Sequence, residues 1–90
     1  MTPQKEPLDP AFLQKIVIDS TPDPGRFKQD SDPAVVTLFD LGVVGALETT
    51  IFVRAVKNRL KPWTINDGDV ASSPATTVQQ AADSLAQNAQ

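Results

Sequence analysis

Ninety residues with a formal net charge of −3 and no cysteine, histidine or tyrosine set narrow limits on chemistry. Without thiols there is neither a disulfide framework nor a thiolate metal site, and without imidazole the commonest general base and transition-metal ligand are missing. The acidic balance disfavours general nucleic-acid binding, which relies on clustered Lys and Arg to displace counterions.

An active site would have to be built from Asp, Glu, Lys, Arg, Ser and Thr, so the chain reads as no enzyme, with no cofactor and no metal. A chain of this length forms one domain at most and buries little more than about 60% of its unfolded surface. Its large apolar side chains concentrate in 11–18 and 34–60, whereas residues 1–10 and 19–33 hold six of the eight prolines. The N-terminus lacks the apolar run and small-residue cleavage site of a secretory signal, so synthesis inside the cell is the expectation.

Residues 1–32 read as a Pro-rich arm carrying one short helix, about 10–18. Asp9-Pro10-Ala11 has the form of a helix start: the Asp side chain accepts from a free first-turn N–H, and proline at the first position sacrifices no hydrogen bond. Leu8 and Leu13 have the spacing of a hydrophobic staple, and Phe12, Leu13, Ile16 and Val17 form the apolar side. The turn signals in Ser20-Thr21-Pro22-Asp23-Pro24-Gly25 end it. The same start signature recurs at Asp32-Pro33-Ala34 and at Ser73-Pro74-Ala75, which predicts two further helices.

The second predicted helix is the centre of the chain, about 33–61, ended by Pro62. At about 100° per residue, Leu38, Gly42, Gly45, Thr49, Val53, Val56 and Leu60 share one face. Val36, Val43, Val44, Leu47 and Ile51 occupy the other half, so the middle is apolar nearly all round and needs partners to cover it. Gly42 with Ala46 and Gly45 with Thr49 are small-residue pairs four apart, suited to close approach of a second helix. An alternative is that Gly42 breaks the segment and the β-branched run 49–53 forms a strand.

A membrane span over 35–53 is another alternative, with Arg54, Lys57, Arg59, Lys61 and Trp63 as its interfacial anchor. Asp40 and Glu48 argue against it, at roughly 2.5–3.5 kcal/mol for each buried acid. As a catalytic pair they are poorly placed, because eight residues of helix separate them by about 12 Å. Arg54, Lys57 and Lys61 fall on one helical face, where they either meet an anionic partner or offset the helix dipole. Trp63 has the character of an interface anchor.

Residues 62–90 read as a linker and a polar Ala/Gln-rich segment, with a turn at Asp67-Gly68. A third helix is predicted over about 74–88 on the narrow ridge Val78, Ala82, Leu85 and Ala89, with a disordered tail as its alternative. The joins 19–32 and 62–72 exceed the about 2–8 residues usual between bundle helices.

These features together predict an all-α, extended, non-compact chain in three segments, 1–32, 33–61 and 62–90. The expected function is a small non-enzymatic structural subunit that packs against protein partners in a larger assembly, copies of itself included. A minor protein of a virus particle would fit. Leu38, Gly42, Gly45, Thr49, Val53, Val56 and Trp63 are the expected partner contacts, and Arg54, Lys57 and Lys61 the expected contact for an anionic partner. The alternatives are a membrane-anchored subunit and a small regulatory protein that folds on one partner.

Overall fold

The computed structural model describes residues 8–90, in which three α-helices are joined by segments that include three short 3₁₀ turns. The first helix, α1 (Pro10–Asp19), starts as its signature predicts. Asp9 Oδ1 accepts from the backbone N–H of Ala11 at 2.8 Å and of Phe12 at 3.4 Å. Ser20 closes it, its hydroxyl donating to the Ile16 carbonyl at 2.7 Å. Leu13, Ile16 and Val17 are buried, and α1 packs chiefly against the third helix.

The predicted long helix 33–61 is not formed. Pro33 begins only a turn: Asp32 Oδ1 accepts from the Ala34 N–H at 2.9 Å, and the chain then extends through Thr37. One 3₁₀ turn comes next at Phe39–Leu41, and Gly42 ends it with a left-handed φ of 100°. The Gly42 N–H donates to the Phe39 carbonyl and the Val43 N–H to that of Leu38, the paired bonds of a Schellman motif. Gly42 therefore breaks the segment, but the run 49–53 beyond it is helix and not strand. Gly45, extended at φ −159°, is the N-cap of α2 (Ala46–Leu60). Inside α2 the hydroxyls of Thr49 and Thr50 donate to the carbonyls four residues back, at 2.9 and 3.0 Å. A threonine hydroxyl inside a helix commonly makes this bond, and the burial of Phe52, Val56 and Leu60 outweighs the weak helix preference of the β-branched run.

The third helix, α3 (Val78–Asn88), starts four residues later than predicted, on a capping box. Thr77 Oγ1 accepts from the Gln80 N–H at 3.1 Å, and Gln80 Oε1 accepts from the Thr77 N–H at 3.0 Å. Pro74 again makes only a turn, with Ser73 Oγ accepting from the Ala75 N–H at 3.3 Å. The two proline turns pair with each other. Thr37 and Thr77 form an isolated antiparallel bridge. Around it the Leu38 N–H donates to the Thr76 carbonyl at 2.8 Å and the Val78 N–H to the Val36 carbonyl at 2.9 Å. Outside these, Phe39 N–H donates to Pro74 and Gln79 N–H to Pro33, at 3.0 and 2.9 Å.

This clasp folds the chain back on itself, which overturns the expectation of an extended molecule. The radius of gyration is 11.2 Å, below the 11.8 Å expected for a globule of the described length. The long joins are used as packing elements. Leu38, Leu41 and Val43 from the first part of the chain's centre join Ile65 and Val70 from the second linker in one core. With Leu13, Ile16 and Val17 of α1, Phe52, Val56 and Leu60 of α2, and Val78, Ala81, Ala82 and Leu85 of α3, they complete it. Ser84 holds the second linker in place by accepting from the Ala71 N–H at 3.1 Å.

A side chain at the left-handed turn of Gly42 would crowd Pro22 and Asp23. A Cβ there would stand 2.8 Å from Asp23 Oδ2 and 3.1 Å from Pro22 Cβ. Gly42→Ala should therefore destabilise by at least about 1–2 kcal/mol from backbone conformation alone. Gly25→Ala, whose Cβ meets nothing within 4 Å, should stay within about 0.5 kcal/mol. Urea denaturation of both variants checks the difference.

Candidate functional site

Helix α2 buries one stripe, Phe52, Val56 and Leu60, against the core. At about 100° per residue, Leu47, Ile51, Arg54, Asn58 and Lys61 succeed one another three or four apart along the opposite side. All five are exposed, as is Val44 just before the helix. The ridge changes character along its length. Leu47 is 70% and Ile51 52% exposed in its first half, whereas its second half is polar and basic.

Beside the ridge runs an open groove of about 960 Å³. Its floor and walls come from α2 and from residues 63–67, which turn back along the helix after Pro62. The Thr64 N–H and the Gln90 carbonyl are joined at 2.8 Å, and so are the Gln90 N–H and the Thr64 carbonyl, which fastens the outer wall. Lys57 Nζ bridges the groove to Asp67 Oδ1 at 2.6 Å. Both groups are substantially exposed, so the bridge contributes little, about 0–1 kcal/mol.

Of the residues predicted to contact partners, the structure brings Thr49, Val53 and Trp63 together on this groove, along with Arg54, Lys57 and Lys61. It does not gather the rest. Leu38 and Val56 are fully buried in the chain's own core. Gly42 and Gly45 lie in the connection before α2, so the close helix approach that rested on them falls with the long helix. The helical wheel puts Val44, Leu47 and Ile51 in the opposite apolar half, outside the expected contact face. With α2 shortened to one buried stripe, these side chains remain in solvent, together with Val35 and Phe39.

Asp40 and Glu48 have structural surroundings. Asp40 Oδ2 accepts from the Thr37 N–H at 3.0 Å, and the Asp40 N–H donates to Thr37 Oγ1 at 3.2 Å. Glu48, in the first turn of α2, curls toward Gly45 at the helix N-terminus, where a carboxylate complements the dipole. Among the described residues no three acidic side chains cluster in a way that could hold a metal ion. No helix among them is long and apolar enough to cross a membrane, and 35–53 is interrupted at Gly42–Gly45.

The chain matches no protein-family model, and comparison with curated proteins and with solved structures finds no similar protein.

Neighbouring positions on α2 should respond oppositely to truncation. Phe52→Ala, at a fully buried site, should cost about 3–5 kcal/mol. Ile51→Ala, half-exposed, should change stability by no more than about 0.5 kcal/mol. Thermal and urea unfolding monitored by circular dichroism would separate the two.

Proposed function

We propose that the chain is a non-enzymatic interaction subunit of a larger protein assembly, docking through the exposed side of α2. The observation that carries this reading is the placement of Val44, Leu47 and Ile51. Leu47 and Ile51 stand one turn apart on the exposed side of α2, and Val44 is exposed just before the helix, on a protein that has a separate core. Single exposed apolar residues are ordinary, but two of them one turn apart on a helix face beside a groove fit a protein-binding surface. Burying the exposed parts of Leu47 and Ile51 in a partner would contribute about 1–2 kcal/mol each.

The groove supports a protein partner more than a small substrate. It is open along its length, and its polar groups do not converge on a point. Arg54, Lys57 and Lys61 are spread over two turns of helix, with the Lys57 ammonium committed to Asp67. A small-molecule site encloses most of its ligand around a few converging polar groups. Because the chain builds a core from its own three helices, a subunit that docks already folded fits better than one that folds on its partner.

The test is affinity capture by the intact chain and by the double variant Leu47→Asp, Ile51→Asp, with the retained proteins identified and quantified. Both positions are exposed, so the variant should keep its far-UV spectrum. A protein held by the wild type at fixed stoichiometry, and at least about tenfold depleted with the variant, supports the reading. Equal retention by both would show that α2 is not the docking face.

A further inference from the structure

We propose that Asp67-Gly68 is a site of spontaneous covalent modification, at which Asp67 isomerises through a cyclic imide to isoaspartate and breaks its bridge to Lys57. The modification is independent of the docking reading above and goes beyond it.

The reaction needs no co-reactant but water. The Gly68 backbone nitrogen attacks Asp67 Cγ, its proton and the carboxyl's hydroxyl leave together as water, and the imide ring closes. Water then adds to one of the two imide carbonyls. Opening at Cγ restores aspartate. Opening at the former main-chain carbonyl leaves the nitrogen bonded to Cγ, so the main chain runs through Cβ and the old carbonyl becomes a free carboxylate.

Among the aspartates of the described residues, the backbone singles out Asp67. Asp9, Asp23 and Asp32 precede prolines, which have no N–H to lose. Ser20, Ser31, Leu41 and Val70, which follow Asp19, Asp30, Asp40 and Asp69, donate their N–H groups to backbone carbonyls at 3.0–3.3 Å. Ser84, which follows Asp83, lies inside α3. The Gly68 N–H makes no hydrogen bond among the described residues. Gly68 also has no side chain to hinder the ring, and even a Cβ there would meet nothing within 4 Å.

Little holds the site against the rotation that ring closure requires. Asp67–Asp69 form a single exposed 3₁₀ turn, closed by the Asp69 and Val70 N–H groups at 3.0 and 3.3 Å. Such a turn opens far more often than the core does. The Lys57 bridge at 2.6 Å must open as well, and with the Asp67 side chain 76% exposed it holds weakly. In the product, the carbonyl that accepted from the buried Val70 is a carboxylate on a longer main chain. The turn and the contact with Lys57 are lost together. The altered form accumulates with time, so the site records the age of the molecule.

The experiment keeps the full chain for several weeks at neutral pH and physiological temperature, in water enriched in heavy oxygen, and follows it by peptide mapping. Isoaspartate should accumulate at Asp67, with one heavy oxygen gained per ring opening and no change of mass in ordinary water. Gly68→Ala, at an exposed and open position, should slow the reaction severalfold, because a methyl group hinders ring closure. Lys57→Gln, which removes the bridge, should quicken it. Unfolding in guanidinium chloride should raise labelling at Asp30 and Asp83 far more than at Asp67, since only at those two is the following N–H released from a hydrogen bond. Absence of label at Asp67, or an unchanged rate in Gly68→Ala, overturns the proposal. Labelling of Asp83 in the folded chain as fast as that of Asp67 overturns it too, because hydrogen bonding would then not choose the site.

Discussion

The clasp between the two proline turns holds this fold together. Thr37 and Thr77 are forty positions apart, and the reciprocal backbone bonds around them bring the segment before α2 against the start of α3. Each threonine also caps the turn after it, Thr37 with Asp40 and Thr77 with Gln80. One residue type thus ends an extended stretch, pairs across the molecule and starts the next turn of helix. Leu38 and Val78, the residues immediately after the two threonines, are fully buried. The polar clasp therefore fixes the entry point of two apolar elements into one core.

How much was legible in the sequence depended on how local the signal was. Helix α1 is written in adjacent residues: Asp9 supplies the cap, Pro10 the first position, and the 20–25 turn the end. Asp32 and Ser73 make the same local bond, which the sequence correctly implies, yet no helix grows directly from either. The N–H groups that would continue a helix are donated across the molecule, from Leu38 to Thr76 and from Val78 to Val36. A local pattern does not show that competition. For the same reason the linkers looked too long for a compact bundle, although Ile65 and Val70 fill the core from within one of them.

The candidate surface was half legible. The grouping of Arg54, Lys57 and Lys61 on one helical side, with Trp63 just beyond, survives because it depends only on the stretch that is helical, 46–60, and its first residues beyond. The grouping of Leu38, Gly42 and Gly45 with Val53 assumed an unbroken helical phase through residue 42. Gly42 adopts a left-handed conformation and resets that phase, so the residues before it point where no single wheel can place them. The apolar excess noted around the predicted helix was real. Much of it went to the core through Leu38, Leu41 and Val43, and Leu47 and Ile51 stayed outside.

The forty-residue span of the clasp also bears on the order in which the molecule assembles. Closing a loop that long sacrifices more chain entropy than forming a turn of helix, so contacts between distant positions trail the local ones. Helix α2 lies wholly inside the loop, and its threonine hydroxyl bonds are local. Until the loop closes, the core that covers Phe52 and Val56 lacks the α3 residues Val78, Ala81, Ala82 and Leu85. The interval before closure is then the period of greatest exposure to wrong association. A chaperone or a nearby copy would meet at that time the same Leu47–Ile51 ridge that the finished protein still displays.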